Sequence, residues 1–175
     1  MIENFLSTLP GLPREVLENT PNRHSKALQF LVSGYSENPQ SILAKTFDDL
    51  TGTGELVIVK EIPFWSLCQH HVLPFNGVCS VGYLPKSRVV GLSKIPRLIN
   101  CFARRLQVQE QLTYQIADAI YTNVETDGVM CLIKASHTCM QMRGALSSGV
   151  METLSSFGVL SQDNSRRSEC LRLLR

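Results

Sequence analysis

SKIPRLINCFARRLQ, residues 93–107, runs almost directly into QEQLTYQIADAIYTNV, residues 109–124, and the fold is read outward from this pair. The first stretch opens on Ser93 as a helix cap, has Pro96 near its first turn, and carries Ile95, Leu98, Ile99 and Phe102 at helical spacing. The second repeats the signal with Leu112, Ile116, Ala119, Ile120 and Val124. Both read as amphipathic helices, and such a helix needs an apolar surface to cover. The flanking stretches offer one. Upstream, GELVIVKEIPF (54–64) is rich in β-branched residues and reads as a strand, and WSLCQHHVLPF (65–75) as a loop. NGVCSVGYLP (76–85) is a second strand, turned by PKS into RVVGL. Downstream, Asp127-Gly128 turns into GVMCLIKASHTCMQMRG (128–144), which alternates as a strand; residues 150–157 add another, and SRRSECLRLLR reads as a terminal helix. Strands grouped in hairpins with helices between them predict an α+β fold on an antiparallel sheet.

Ahead of the strands, Thr20 as N-cap and Pro21 at the first helical position predict a helix over 21–33, closing at Gly34. Its apolar positions Ala27, Leu28, Leu31 and Val32 share one side, and short helical turns are expected near Pro13 and Pro39. The chain is therefore read as one domain with an N-terminal helical region over 1–53 and a β-rich region over 54–175.

Composition narrows the function. The chain has 175 residues, 43% of them apolar, enough for one real core. Lys and Arg number 17 against 15 Asp and Glu, a net charge of +2, without the basic excess of a nucleic-acid binder. No run of eighteen apolar residues exists, so no membrane span is expected. The opening MIENFLSTLPGLPREVLENT carries acids early and has no basic segment before an apolar run, so it does not read as a secretion signal. A cytoplasmic, reducing setting is expected, in which the six cysteines serve as small core residues or metal ligands, not as disulfides. Cys79, Cys101 and Cys131, with apolar neighbours, belong to the first kind.

Cys68 and His71 form a C-x-x-H pair in the loop, and His137 and Cys139 an H-x-C pair at the end of a predicted strand. A two-residue spacer lets a thiolate and an imidazole converge on one ion, and residues i and i+2 of a strand point to one face. Sulfur and imidazole donors select zinc over magnesium or calcium. Three of the four histidines lie in these two segments. All four residues could close a structural zinc site; alternatively Cys68, His71 and Cys139 could form an open catalytic site, leaving His70 and His137 for proton transfer. Spacing leaves both readings standing.

Lys94 and Arg97 lie three apart at a helix start, where backbone N–H groups favour an anion and Ser93 adds a hydroxyl. Arg143 follows Cys139 by four residues, and Arg23 and Lys26 share a helical face. Singly, each reads as a solvated cation; together, in a nearly neutral chain, the five suggest a phosphate cradle. Gln109 and Glu110 open the second amphipathic helix. A buried carboxylate beside an amide could read the N–H edge of a purine or pterin, although a first-turn Glu also suits a helix dipole.

SLCQHHVLPFNG (66–77), GLSKIPRLINCFARRLQVQEQLTYQIADAI (91–120) and ASHTCMQMRG (135–144), in this order, resemble the GTP cyclohydrolase I family, and the likeness runs over roughly residues 11 to 175. The resemblance implies a tunnelling fold, an antiparallel sheet with a helix pair between two β-hairpins. It also implies a shortened N-terminal helical extension and a toroidal homo-oligomer of ten subunits with pockets between neighbours. It favours the open metal site: Zn2+ on Cys68, His71 and Cys139, with His70 and His137 as acid–base residues. Gln109 and Glu110 would bind the guanine, Ser93 would lie beside the ribose and phosphates, and Lys94, Arg97, Arg143, Arg23 and Lys26 would hold the triphosphate. The implied reaction opens the imidazole ring of GTP, releases formate and yields 7,8-dihydroneopterin triphosphate. Four positions depart from the family's usual pattern: Gln69 stands for Glu, Gln111 for Arg, Lys134 for an acid, and Met151 for one of two threonines, with Thr153 retained. Drift accounts for these, or a specialised paralogue serving a deazapurine pathway or another substrate, or a zinc-binding toroid without catalysis. Pyruvoyl-pterin synthases and nitrile reductases, other enzymes of that fold, are not expected to have this C-x-x-H and H-x-C layout followed by Met-Arg-Gly.

Overall fold

The β-branched runs pair into a five-stranded sheet whose one face takes the helix pair. The computed structural model describes residues 2–48 and 54–175, so the expected boundary between residues 53 and 54 meets a stretch outside the described residues. In chain order the elements are α1 (Ile2–Ser7), α2 (Arg14–Leu31), a 3-10 turn (Ser33–Ser36), α3 (Pro39–Leu43), β1 (Thr46–Asp48), β2 (Val57–Cys68) and β3 (Pro74–Pro85). There follow β4 (Arg88–Val90), α4 (Lys94–Ala103), β5 (Leu106–Gln107), α5 (Gln109–Asn123) and β6 (Thr126–His137). The chain closes with the single turn α6 (Thr138–Gln141), β7 (Val150–Gly158), a second single turn α7 (Val159–Gln162) and α8 (Asn164–Leu174). The sheet runs β5-β2-β3-β6-β7. All its pairings are antiparallel except β2 with β5. This is the α+β architecture expected from the sequence.

Alternation along the strands sorts the two faces. Phe64, Phe75, Cys79, Val81, Tyr83, Val129, Cys131 and Ile133 form one core with Ile95, Leu98, Ile99 and Phe102 of α4 and Leu112, Ile116 and Ile120 of α5. Met130, Leu132 and Leu84 point the other way and are covered by Leu160, Cys170 and Leu174 of α7 and α8. All six cysteines are free thiols, and Cys79, Cys101 and Cys131 are fully buried in keeping with their apolar neighbours. No helix among the described residues is long and apolar enough to cross a membrane.

The structure differs from the sequence reading at several places. The strand expected to end at Phe64 continues through Trp65, Ser66 and Leu67 to Cys68, because these residues pair with Asn76, Phe75 and Pro74 of β3 and with β5. The connection is thereby reduced to residues 69–73. The helix expected from Pro21 begins at Arg14 and carries Pro21 inside it. Strand β6 ends at His137, and the residues after it coil into α6. The two short strands β1 and β5 carry no alternation long enough to read. RVV, within the stretch expected to follow the PKS turn, does form a strand, β4, but it pairs with β1 outside the main sheet. The backbone N–H of Val90 donates to the buried Tyr83 hydroxyl (3.2 Å), tying this small ribbon to the core.

Candidate metal centre and its surroundings

Backbone pairing builds the centre. The Cys68 N–H donates to the Leu73 carbonyl (2.9 Å), while His71 and Val72 both donate to the Cys68 carbonyl (3.3 and 2.8 Å). Residues 68–73 therefore fold into one tight turn. Val72 closes it in the left-handed region, φ 53, a conformation a β-branched residue rarely adopts. The Gln69 N–H donates to the Gln107 carbonyl (3.0 Å), which fastens the turn to β5 immediately ahead of α5. On the other side, His137 lies opposite Phe75 in the β3–β6 register, and the Thr138 hydroxyl donates to the Pro74 carbonyl. Three separated segments thus meet at one end of the sheet: the turn, the first residues of α5, and the β6–α6 junction.

At that junction Cys68 Sγ, one His71 ring nitrogen and Cys139 Sγ lie within 4.8 Å of one another, the sole such group of three ligand-type side chains among the described residues. Cys68 Sγ stands 3.7 Å from His71 Nδ1. A tetrahedral zinc with Zn–S near 2.3 Å and Zn–N near 2.05 Å sets these atoms about 3.6 Å apart, so the donor set and its spacing fit that ion. Burial and the neighbouring Cys68 sulfur push the Cys139 thiol up, with Arg143 pulling the other way. A dication among these sulfurs would reverse that penalty by favouring the thiolates. Cys68 is buried, Cys139 half-buried and His71 exposed, so the cluster opens to solvent on the imidazole side.

His137 is not part of this group. With Cys139 in α6, the two side chains no longer share a strand face, and the His137 ring stacks flat on Phe75 (centroids 4.5 Å apart, planes 5° apart). Its Nε2 lies 2.8 Å from Gln109 Oε1. Burial lowers its pKa below the usual histidine value, with the Glu110 carboxylate opposing that shift. His137 is therefore a mainly neutral imidazole at pH 7. His70 is exposed at the turn, its Nε2 3.4 Å from the Gln69 amide nitrogen.

The other candidates are placed as follows. Gln109 is 1% exposed and its side chain is fully engaged inside the chain, while Glu110 is exposed at the start of α5. Ser93 precedes α4 without making a side-chain capping bond, contrary to its reading as a cap. Lys94 and Arg97, on the first turn of α4, and Arg143, after α6, form no ion pair among the described residues. Arg23 on α2 is paired with Glu15 (2.8 Å), and among the described residues no hydrogen bond or ion pair brings Arg23 or Lys26 to the cluster.

Sequence reasoning missed the support beneath His137. Phe75, Thr113 and Thr153 take part in it, and the available signal was a polar pair, Gln109 and Thr113, four apart on the otherwise apolar face of α5. The departures sort by position. Lys134 pairs with Glu152 (3.6 Å), its cross-strand partner in β7, on the sheet face opposite His137. Met151 still contributes its backbone carbonyl, which accepts from Gln109. Gln111 is exposed.

Comparison with known proteins agrees over the whole length. A family model described as GTP cyclohydrolase I matches residues 2–175. The GTP cyclohydrolase 1 of Parabacteroides distasonis is 46% identical over 162 residues, spanning 93% of this chain and 83% of that protein. That of Coxiella burnetii is 47% identical over 163 residues (93% and 88%). That of Campylobacter jejuni is 47% identical over 162 residues (92% and 85%). Among solved structures, the archaeosine synthase QueF-Like in its apo form aligns with a TM-score of 0.48 and 17% identity, over 59% of this chain and 93% of that one, too slight a likeness to carry chemistry. Since the family model spans all but the first residue and the relatives share nearly half their residues with it, the chain belongs to the GTP cyclohydrolase I family.

Proposed function

We propose that this chain hydrolyses the imidazole ring of GTP, releasing formate and forming 7,8-dihydroneopterin triphosphate, with Cys68, His71 and Cys139 holding a zinc ion. The enzyme class follows from the family; the ion and the residue roles are our reading. The observation that carries it is the separation of duties at the β6–α6 junction. Two sulfurs and one imidazole converge within 4.8 Å, and His137 is held beside them but outside the group. A three-donor zinc site supplies activated water at neutral pH.

The side chains around it then have distinct work. His137, mainly neutral at rest, takes the proton released by the attacking water and delivers it to the purine ring, where a proton raises the ring's electrophilicity. His70, exposed next to His71, serves as the second proton carrier. Glu110, exposed at the helix start, accepts from the guanine N–H edge. Ser93 lies beside the ribose. Lys94, Arg97 and Arg143, none ion-paired among the described residues, hold the triphosphate, since roughly four negative charges are costly to gather without nearby cations.

Arg23 and Lys26 act across a subunit boundary in this reading. Helix α2 has no buried residue, and Phe5, Leu9, Leu17 and Phe30 nearby are exposed. Strands β5 and β7 are the outer strands of the sheet. Such surfaces are what a tunnelling fold covers when copies close into a ring, here a toroidal decamer. A cytoplasmic location suits the six free thiols.

Incubating the purified, zinc-loaded protein with GTP and identifying products by mass tests the reading. One formate and one dihydroneopterin triphosphate are expected per GTP consumed. GTP returned intact by protein that retains its zinc would instead identify a metal-binding member that has lost the reaction.

A further inference from the structure

We propose that Gln109 is a positioning residue rather than a reader of the guanine: its amide holds His137 in the Nε2–H tautomer and leaves Nδ1 as the atom that exchanges protons with substrate. This rests on His137 acting at the substrate, as proposed above.

The amide orientation follows from its partners. Gln109 Nε2 lies 3.3 Å from the Ile133 carbonyl, 3.0 Å from the Met151 carbonyl and 3.1 Å from Thr153 Oγ1. Backbone carbonyls only accept, so the NH2 group must face them and Oε1 must face His137. Oε1 can only accept in turn, so the 2.8 Å contact is a bond donated by His137 Nε2–H. In the neutral ring the proton is then on Nε2, and Nδ1 carries the lone pair. No hydrogen-bond partner meets Nδ1 among the described residues.

The hydroxyls beneath keep the amide from turning. The Thr113 hydroxyl donates to the Gln109 backbone carbonyl (2.8 Å), which uses its one hydrogen. At 2.6 Å, Thr153 must therefore donate to Thr113, and is left to accept from the Gln109 amide. The bonds run in one direction around a closed ring, from Gln109 side chain to Thr153, to Thr113, and back to the Gln109 main chain. Stacking on Phe75 fixes the plane of the imidazole, so ring plane and tautomer are both set before substrate arrives. With its donors and acceptor engaged and 1% of its surface exposed, Gln109 has no free edge for a base.

The test is 15N NMR of histidine-labelled, zinc-loaded protein without substrate, with the His137 signals assigned by their loss in His137→Asn. The wild-type ring is expected to show a protonated Nε2 and a bare Nδ1. Gln109→Leu should lose that single tautomer while retaining stoichiometric zinc, and should lower kcat by about tenfold to a hundredfold with little change in KM for GTP. A wild-type His137 protonated on Nδ1, or present as a mixture, overturns the proposal even where Gln109→Leu does not fold. A raised KM at unchanged kcat in Gln109→Leu also overturns it and returns Gln109 to the guanine. Because the spectrum is read without GTP, a protein that fails to turn over GTP leaves this test intact.

Discussion

At the residue scale the H-x-C pair is the instructive case. An i, i+2 pair shares a face only while both residues are extended. His137 is the last residue of β6 and Cys139 lies inside α6, so one side chain reaches Cys68 and His71 and the other turns to Gln109. Spacing alone leaves a four-donor and a three-donor reading standing; the change of backbone conformation brings Cys139 to Cys68 and His71 and leaves His137 outside that group. We expect Cys139→Ala to lose stoichiometric zinc and turnover together, and His137→Asn to keep zinc while kcat falls by about 10²- to 10⁴-fold. Metal analysis of dialysed protein alongside product assays checks both; zinc missing from His137→Asn would place His137 among the ligands.

At the element scale, local signals succeeded where local forces decide. Pro39 announces α3, and the structure adds Asn38, whose side chain caps the helix by accepting from the Gln40 and Ser41 N–H groups. Pro21 misled because its penalty of roughly 3 kcal/mol removes one helical bond without forbidding a helix. Ion pairs Arg14–Glu18 and Arg23–Glu15 lie along this helix, the second spanning the proline. Gly34 reads as a helix stop, yet its place is set by packing: its N–H donates to the Arg104 carbonyl (2.9 Å), and a Cβ there would meet the Cys101 carbonyl oxygen at 2.2 Å. The N-terminal turn can sit on α4 only if that side chain is absent. Gly34→Ala should therefore lower stability by at least about 2 kcal/mol, read from denaturant midpoints, since the obstacle is backbone and cannot rotate away. A midpoint unchanged from wild type would mean that the turn can lift off α4 freely.

Across the whole molecule, apolar strands are covered on both faces, and the buried thiols on each side bear a consequence for pH. Burial pushes the Cys170 thiol up to about 11, aided by Glu169, and raises Cys79 and Cys101 as well. An unfolded thiol titrates near pH 8.5. Below that value folded and unfolded chains are both protonated and stability is complete. Above it the unfolded chain releases protons that the folded chain retains, so stability falls as pH climbs from about 8.5 toward 11, by up to about 1.4 kcal/mol per pH unit for each such thiol. Denaturant unfolding at neutral pH and near pH 10 should show this fall, and Cys170→Ala should make it shallower. An identical slope in that variant would remove Cys170 from the account.

The amino-acid sequence by itself determined the helix pair, the strand-rich flanks and the C-x-x-H and H-x-C pairs that mark the candidate site. Those features arise from periodicity and spacing within a few residues, where side-chain polarity and backbone preference act directly. Tertiary structure decided what lies between distant segments: the register that sets His137 against Phe75, the β5 pairing that draws α5 to the Cys68 turn, and the meeting of Cys139 with Cys68 across some 70 residues. It also closed the ring of hydrogen bonds through Gln109, Thr153 and Thr113. Contacts of this kind depend on strand pairing and burial over the whole sheet, and no short window of residues contains the energy that selects them.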